Sequence, residues 1–137
     1  MYFIKRHENG IVIRETSGLI VLPTSLKKYL NELCLNNLTT YEGRITATKI
    51  LLSDKKNIPI YINRNLLFYS TGSLRDYNTV FVNYFSVISV VKVSKSTTRF
   101  IFTNLEEEIM EVSYQRIMKQ HSKIKIIIEY LNNQIFQ

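Results

Sequence analysis

The stretch "EVSYQRIMKQHSKIKIIIEYLNNQI" (residues 111–135) changes its hydrophobic period at its start. From residue 114 onward, apolar residues and one histidine recur at alternating intervals of three and four, the period of a helical seam. The segment "KIKIII" also alternates as a strand would, but the longer period predicts a helix over 114–135. The seam serves either to pack this helix across a sheet or to join two copies of the chain; its candidate dimer-seam residues are Ile117, His121, Ile124, Ile128, Leu131 and Ile135.

The residues before this helix have the composition of β-strands. Four runs rich in β-branched and aromatic residues follow one another with short turns between them: "TVFVNYF", "VISVVKVS", "TRFIFTN" and "EIMEVSY". Such spacing predicts an antiparallel meander. Upstream of them, "PIYIN" and "LLFYS" are also short strand-like runs, and residues 71–78, "TGSLRDYN", are typical of a loop.

The N-terminal part of the chain predicts a hairpin and then two short helices. Asn9-Gly10 between the apolar runs "YFIKRH" and "IVIR" is a hairpin signal, and Pro23 closes the next run, "LIVL". In "SLKKYLNELCLNN" the apolar residues share one helical face, which includes Cys34. The sequence therefore predicts an α+β fold: an N-terminal hairpin, two short helices, an antiparallel meander and a C-terminal amphipathic helix, in one domain over residues 1–137.

The segment "TTYEGR" (residues 39–44) begins the second of these helices, over about 40–52. Thr39 and Glu42 have the spacing of a capping box, which predicts that they cap the helix. Gly43 is a poor helix former in the first turn. It indicates either a close approach of another backbone or of a ligand such as DNA, or a tight crossing against the preceding helix.

The charge of the chain suggests a polyanionic partner. The net charge is +7, and residues 1–105 hold fourteen Lys/Arg against six Asp/Glu, whereas residues 106–137 hold four against five. A basic body of this kind suits nucleic acid; a basic protein kept soluble by its charge is the alternative. The densest basic run lies on and after the second helix, and with Gly43 it gives the candidate DNA-binding residues: Gly43, Arg44, Lys49, Lys55, Lys56, Arg64 and Arg75.

No pattern of catalytic or metal-binding residues stands out in the sequence. The two histidines, His7 and His121, are far apart, and the single cysteine, Cys34, lies on the apolar face of a predicted helix. There is no phosphate-binding glycine loop, HExxH or GxSxG motif. We therefore expect no enzyme activity and no cofactor. With neither a secretory signal nor a membrane-spanning stretch, the cytoplasm is the expected location.

The order of several motifs resembles the ComK family, competence transcription factors of low-GC Gram-positive bacteria. The matching motifs cover roughly residues 24–131: "TTYEGR", "IPIYIN", "LLFYSTGS", "RFIFTN" and "EVSYQ". The resemblance implies an activator that binds AT-rich double-stranded DNA as a homo-oligomer, largely through the minor groove. That expectation agrees with the sign of the charge, since narrow A-tract minor grooves attract Arg and Lys.

The sequence also departs from the family pattern. Tyr69-Ser70-Thr71 stands where the family has Phe-Pro-Thr, Ile45 stands where a lysine usually follows the arginine, and the Cys–x–Trp element is missing. Most members also continue beyond the position of Gln137, with a tail through which an adaptor delivers them to a Clp protease. We therefore expect a short, divergent member that the adaptor does not deliver to the Clp protease.

Two other functions fit parts of the sequence. One is an interaction module or antagonist that does not bind DNA and that dimerises with a longer relative through the heptad face. The other is a LytTR-like DNA-binding domain, which "EVSYQRI" suggests but which does not explain "TTYEGR".

Overall fold

A six-stranded antiparallel sheet lies at the centre of the structure, a computed structural model that describes residues 1–135. Its strands are β1 (Phe3–His7), β2 (Gly10–Glu15), β3 (Gly18–Leu22), β4 (Ile60–Asn63), β5 (Leu66–Ser70) and β6 (Val80–Asn83), in the order β3-β2-β1-β6-β5-β4. A second antiparallel sheet holds β7 (Val87–Lys92), β8 (Thr98–Phe102) and β9 (Glu107–Met110). The helices are α1 (Leu26–Leu35), α2 (Tyr41–Leu52) and α3 (Tyr114–Ile135). The α+β class, the N-terminal hairpin and the C-terminal helix are confirmed.

Both faces of the large sheet pack against other elements at β1, β5 and β6. On one face, Ile4, Phe68 and Phe81 pack with Leu30 and Cys34 of α1. On the other face, the neighbouring residues in the same strands pack against β8 and α3, in a cluster of Phe3, Leu67, Tyr69, Val82, Phe100, Phe102, Ile117 and Ile124. Alternate side chains of one strand thus enter two cores. This is why "LLFYS" is apolar throughout instead of alternating.

The meander is shorter than the sequence predicts. Its strands are β7, β8 and β9, whereas the first of the four runs, "TVFVNYF", supplies β6, which lies between β1 and β5. Buried Asn83 ends β6: its side chain accepts from the N–H groups of Leu67 and Phe85 and donates to the carbonyls of Met1 and Asn65. A 3-10 turn (Tyr84–Ser86) then carries the chain to the second sheet.

The first hairpin turn lies one residue earlier than the Asn9-Gly10 signal suggests. His7 pairs with Gly10, so Glu8 and Asn9 form the turn. Gly10 has φ +135°, and a Cβ there would lie 2.0 Å from the Leu22 carbonyl oxygen. Glycine is required at this position because both the backbone conformation and the neighbouring strand exclude a side chain.

Candidate nucleic-acid interface

The candidate DNA-binding residues lie along α2 and around the β4–β5 hairpin. Gly43, Arg44 and Lys49 belong to α2, and Arg64 lies in the turn between β4 and β5. The other three are on loops: Lys55 and Lys56 precede β4, and Arg75 follows β5. Because β4 and β5 are antiparallel, those three lie toward the end of the hairpin opposite Arg64. The seven residues therefore do not converge on one point.

Helix α2 begins with a cap that differs from the predicted one by one residue. The N-cap is Thr40, whose side chain accepts from the N–H of Gly43 at 3.0 Å. The predicted pairing of Thr39 with Glu42 is wrong, because the Thr39 N–H donates to the Cys34 carbonyl at the end of α1. Glu42 instead forms an ion pair with Lys27 of α1 at 3.1 Å.

The surroundings of Gly43 explain why a glycine occupies the first turn of α2. A Cβ on Gly43 would lie 3.0 Å from Thr40 Oγ1 and 3.9 Å from Thr39 Oγ1. The close neighbour is therefore the helix's own cap, not the preceding helix. The first turn is otherwise open, with Glu42 and Gly43 both exposed.

Arg44 differs from the other candidate cations because it packs against the protein. It is half-buried, and its Cζ lies 5.2 Å from the centroid of the Tyr61 ring. Its Nε is enclosed and has no hydrogen-bond partner within the described residues. Arg44 also lines an apolar groove of about 280 Å³ between α2 and α3, with Ile50, Tyr61, Tyr130 and others. A cation over an aromatic face stabilises the packing of α2 on β4.

The remaining five cations are exposed: Lys49, Lys55, Lys56, Arg64 and Arg75. Within residues 1–135, none of them forms an ion pair with a carboxylate. Exposed cations without a protein partner can bind phosphates while every internal ion pair stays in place.

The loop that carries Lys55 and Lys56 is held by Asp54. Asp54 Oδ1 accepts from the backbone N–H groups of Lys55 and Lys56 at 2.7 and 3.3 Å, and Oδ2 pairs with Lys123 of α3 at 3.0 Å. The Lys123 ammonium also donates to the Lys56 carbonyl at 2.9 Å. The hydrogen bond from Lys123, followed by those two backbone bonds, lowers the pKa of Asp54. The loop is thus fixed against α3 with both lysine side chains outward.

Sequence reasoning missed a basic face on α3. Arg116, Lys119 and Lys123 follow one another at intervals of three and four and line a groove of about 600 Å³ with Asp54 and other residues. A second groove of about 570 Å³ adjoins it, because Arg116 and Ser113 line both, and Lys95 lines its far side. The spacing of these bases is readable in the sequence, but five acids in residues 106–137 reduce the local net charge and conceal it.

The candidate dimer-seam residues lie mostly inside the chain. Ile117 and Ile124 are fully buried against the two sheets, and Ile128 packs at the border of the same cluster. Leu131 is half-buried, and the Ile135 side chain lies outside the described residues. The surface of Ile117 and Ile124 is used for packing within one chain, the first of the two roles that the sequence left open.

His121 and Cys34 occupy structural positions. His121 Nε2 lies 3.0 Å from the hydroxyl of buried Tyr69, and the imidazole meets the Tyr69 and Tyr84 rings edge to face. Burial, with a smaller effect from Lys125, lowers the pKa of His121 to about 4. Burial likewise raises the pKa of the Cys34 thiol, which disfavours the reactive thiolate.

Metal-binding and membrane-spanning features are absent from the described part of the chain. In residues 1–135, no three His, Cys, Asp or Glu side chains are grouped as metal ligands. No helix in that range has the length and apolar character needed to cross a bilayer.

Comparison with protein families gives a match over nearly the whole chain. A family model described as "ComK protein" matches residues 2–135. No curated protein and no solved structure matches the chain.

Proposed function

The chain belongs to the ComK family, a family of transcription factors, and from that premise we propose that it is a competence-type regulator that binds AT-rich double-stranded DNA. The observation that carries the proposal is the family match, which spans nearly the whole sequence. Residues 1–135 would act as one DNA-binding domain, in the cytoplasm. The same match favours this function over the LytTR-like alternative.

The arrangement of charge supports DNA as the partner. Lys55, Lys56 and Arg75 belong to loops at the end of the β4–β5 hairpin where α3 also contacts β5, through Gln120 and the Ser70 carbonyl. Arg116 and Lys119 add two further cations beside these loops. Cations on several elements around adjoining grooves suit a phosphate backbone, which presents regularly spaced negative charges.

A fixed framework would set the register of these cations on DNA. The Arg6 guanidinium donates to the Leu74 and Asp76 carbonyls at 2.6 and 2.8 Å, which fastens the loop that bears Arg75. Lys123 and Asp54 fasten the loop that bears Lys55 and Lys56. Phosphate contacts from positioned elements orient a protein on the duplex but do not read sequence.

The second part of the proposal is that the protein prefers AT-rich DNA. Narrow minor grooves of A-tracts have enhanced negative potential, which draws in arginine and lysine side chains. Arg64 lies in the short turn between β4 and β5 and Arg75 lies in the loop between β5 and β6, and both are exposed, as minor-groove contacts require. We assign them the groove contacts and assign Lys55, Lys56, Arg116 and Lys119 the phosphate contacts.

A gel-shift titration over a range of salt concentrations tests the function. The wild type should bind an AT-rich duplex more tightly than a GC-rich duplex of equal length. Lys55→Ala with Lys56→Ala should weaken both complexes alike and reduce the log–log salt slope by about 0.9 for each phosphate that the variant no longer neutralises. Arg64→Ala should weaken the AT-rich complex more than the GC-rich one.

Lys28→Ala is the control, because Lys28 is an exposed lysine that belongs to α1 and to neither loop. It should leave binding to both duplexes unchanged. Absence of a shift on either duplex would contradict the proposed function and favour the interaction module. An equal loss per removed lysine in the Lys28 and Lys55/Lys56 variants would show that only net charge matters.

A further inference from the structure

Strand β3 forms an edge of the large sheet and carries exposed apolar side chains on both of its faces. Leu19, Ile20 and Val21 are 60%, 44% and 49% exposed. The chain has no charged residue from Thr16 to Leu26. A regular, uncharged, apolar edge strand is a template for pairing with another strand.

The other three sheet edges each carry a feature that discourages pairing. Strand β4 has only four residues, with a register shift between Tyr61 and Asn63, and α2 packs beside it. Strand β7 has a register shift between Val87 and Ser89, and β9 begins with Glu107 and Glu108. Bulges, short strands and charges are the means by which proteins block edge pairing. Strand β3 pairs with β2 over five consecutive residues without a shift.

The register of the β2–β3 hairpin shows which backbone groups of β3 point outward. Glu15 pairs with Gly18 across a two-residue turn, so Gly18, Ile20 and Leu22 direct their N–H and C=O groups toward β2. Leu19 lies opposite Arg14, whose carbonyl accepts from the Tyr2 N–H on the other side of β2. The outward groups are therefore those of Leu19 and Val21, which makes two donors and two acceptors on the free edge.

We propose that β3 pairs with β3 of a second copy of this chain, antiparallel and about a two-fold axis at Ile20. In this register Leu19 of each copy lies opposite Val21 of the other. All four outward N–H groups of the two strands then meet outward carbonyls, which gives four hydrogen bonds. Moving the two-fold axis to Leu19 or to Val21, which is a register shift of two residues, would leave half of these groups unpaired. The two sheets join into one of twelve strands.

The side chains fit the same register. The two copies of Ile20 form the central non-hydrogen-bonded pair, in which Cβ atoms approach to about 4.5–5.5 Å. Leu19 and Val21 cover one another on the opposite face. No like charges meet at the two-fold axis, although the chain as a whole has a net charge of +7. Five residues per strand bury less than a standard interface, so we expect association at micromolar concentration rather than an obligate dimer.

The proposal concerns an interaction surface and is independent of DNA binding. Its location also leaves the basic loops free, since β3 and β4 are the opposite edges of the sheet.

A charge-swap experiment tests both the surface and the register. Analytical ultracentrifugation at about 10–200 µM, the range for a weak interface, should show the wild type in monomer–dimer equilibrium. Ile20→Lys and Ile20→Glu should each be monomeric, because like charges face each other at the axis, while an equimolar mixture should form a heterodimer. Ile88→Lys, a charge at another exposed isoleucine on the β7 edge, should dimerise as the wild type does.

Several outcomes would overturn the proposal. They are a monomeric wild type over this range, dimerisation of the Ile20 variants at wild-type strength, or a mixture that stays monomeric although circular dichroism shows both variants folded. A monomeric wild type would instead favour a strand of a different protein as the partner of β3.

Disulfide trapping provides a second test that needs no charged substitution. In a Cys34→Ala background, Ile20→Cys should form a cross-linked dimer on mild oxidation, because the paired Cβ atoms approach disulfide distance. Leu19→Cys, one residue away on the other face, should cross-link at least tenfold more slowly, since its counterpart lies two residues along the partner strand. Equal rates for the two variants would contradict the register.

Discussion

The guanidinium of Arg44 lies over the ring of Tyr61, with Cζ 5.2 Å from the ring centroid, and connects helix α2 to edge strand β4. The residue that the sequence singles out as a DNA contact therefore has a packing role as well. The two roles make different predictions for its substitution, because packing changes the free energy of unfolding whereas a phosphate contact changes the salt dependence of binding.

Arg44→Ala should lower the free energy of unfolding by about 0.5–1 kcal/mol, the value of a cation–π contact at a partly exposed site. Urea denaturation measures this loss. Lys49→Ala, an exposed cation in the same helix, is the control and should change stability by less than about 0.5 kcal/mol. If Arg44 also contacts a phosphate, its removal reduces the log–log salt slope by about 0.9. An unchanged slope together with the stability loss would make Arg44 a packing residue alone.

Helix α3 gives a second prediction, from two isoleucines that are two residues apart and lie on different faces. Ile124 is fully buried between the sheets and the helix, whereas Ile126 is 48% exposed. Ile124→Lys should abolish folding or cost several kcal/mol, because it buries an unpaired charge. Ile126→Lys should change stability by less than about 0.5 kcal/mol. Thermal unfolding followed by circular dichroism distinguishes them; a folded, stable Ile124→Lys variant would contradict the placement of this face in the core.

The elements that sequence reasoning predicted well are those with a long or unambiguous period. The spacing from Tyr114 to Ile135 predicted α3 in full, and the face of Leu26, Leu30 and Cys34 predicted α1. A long amphipathic period predicts a helix well because burial of one helical face determines the local structure. The buried face of α3 was predicted in part: it contains Ile117 and Ile124 of the seam, but also Gln120 and Ile127, which the seam did not include.

The pairing of strands could not be predicted in the same way. The runs "TVFVNYF" and "VISVVKVS" look alike, but the first enters the large sheet through contacts with Tyr2 and Phe3, about eighty residues away in the sequence. Such partners are set by tertiary packing, which local propensity does not encode. The α3 bases were missed for a related reason: they contribute to a surface only once the loop at Lys56 is placed beside Lys123.

The start of α2 gives a third prediction, because two adjacent threonines differ in role. Thr40 caps the helix through its side chain, whereas Thr39 uses its backbone N–H. Thr40→Ala should therefore cost about 1 kcal/mol and Thr39→Ala less than about 0.5 kcal/mol. Thr40→Ser, which keeps the hydroxyl, should restore most of the loss. Chemical denaturation of the three variants measures the order; a larger loss for Thr39 would favour the capping box with Glu42.

His121 gives the last prediction, which concerns pH. Its imidazole lies among Tyr69 and Tyr84, with Lys125 one helical turn away, and its Nε2 is 3.0 Å from the Tyr69 hydroxyl. Burial lowers the pKa of this histidine from about 6.5 to about 4 in the folded protein. The folded state thus holds His121 neutral at a pH where the unfolded chain already binds a proton.

The stability of the protein should therefore fall as the pH is lowered from about 6.5 toward 4, because the unfolded state binds more protons in that range. The contribution is fully present above pH 6.5 and fully lost below about 4. Its slope has an upper limit of about 1.4 kcal/mol per pH unit, and solvent screening at the partly exposed ring reduces it.

His121→Gln keeps a hydrogen-bonding group for Tyr69 but does not titrate. The free energy of unfolding of both proteins is measured with urea at pH 7.5, 6, 5 and 4. Subtracting the value of the variant from that of the wild type at each pH cancels the contribution of all other groups. That difference should shift in favour of the variant as the pH falls; a difference that is constant across the series would show that His121 titrates alike in the folded and unfolded states.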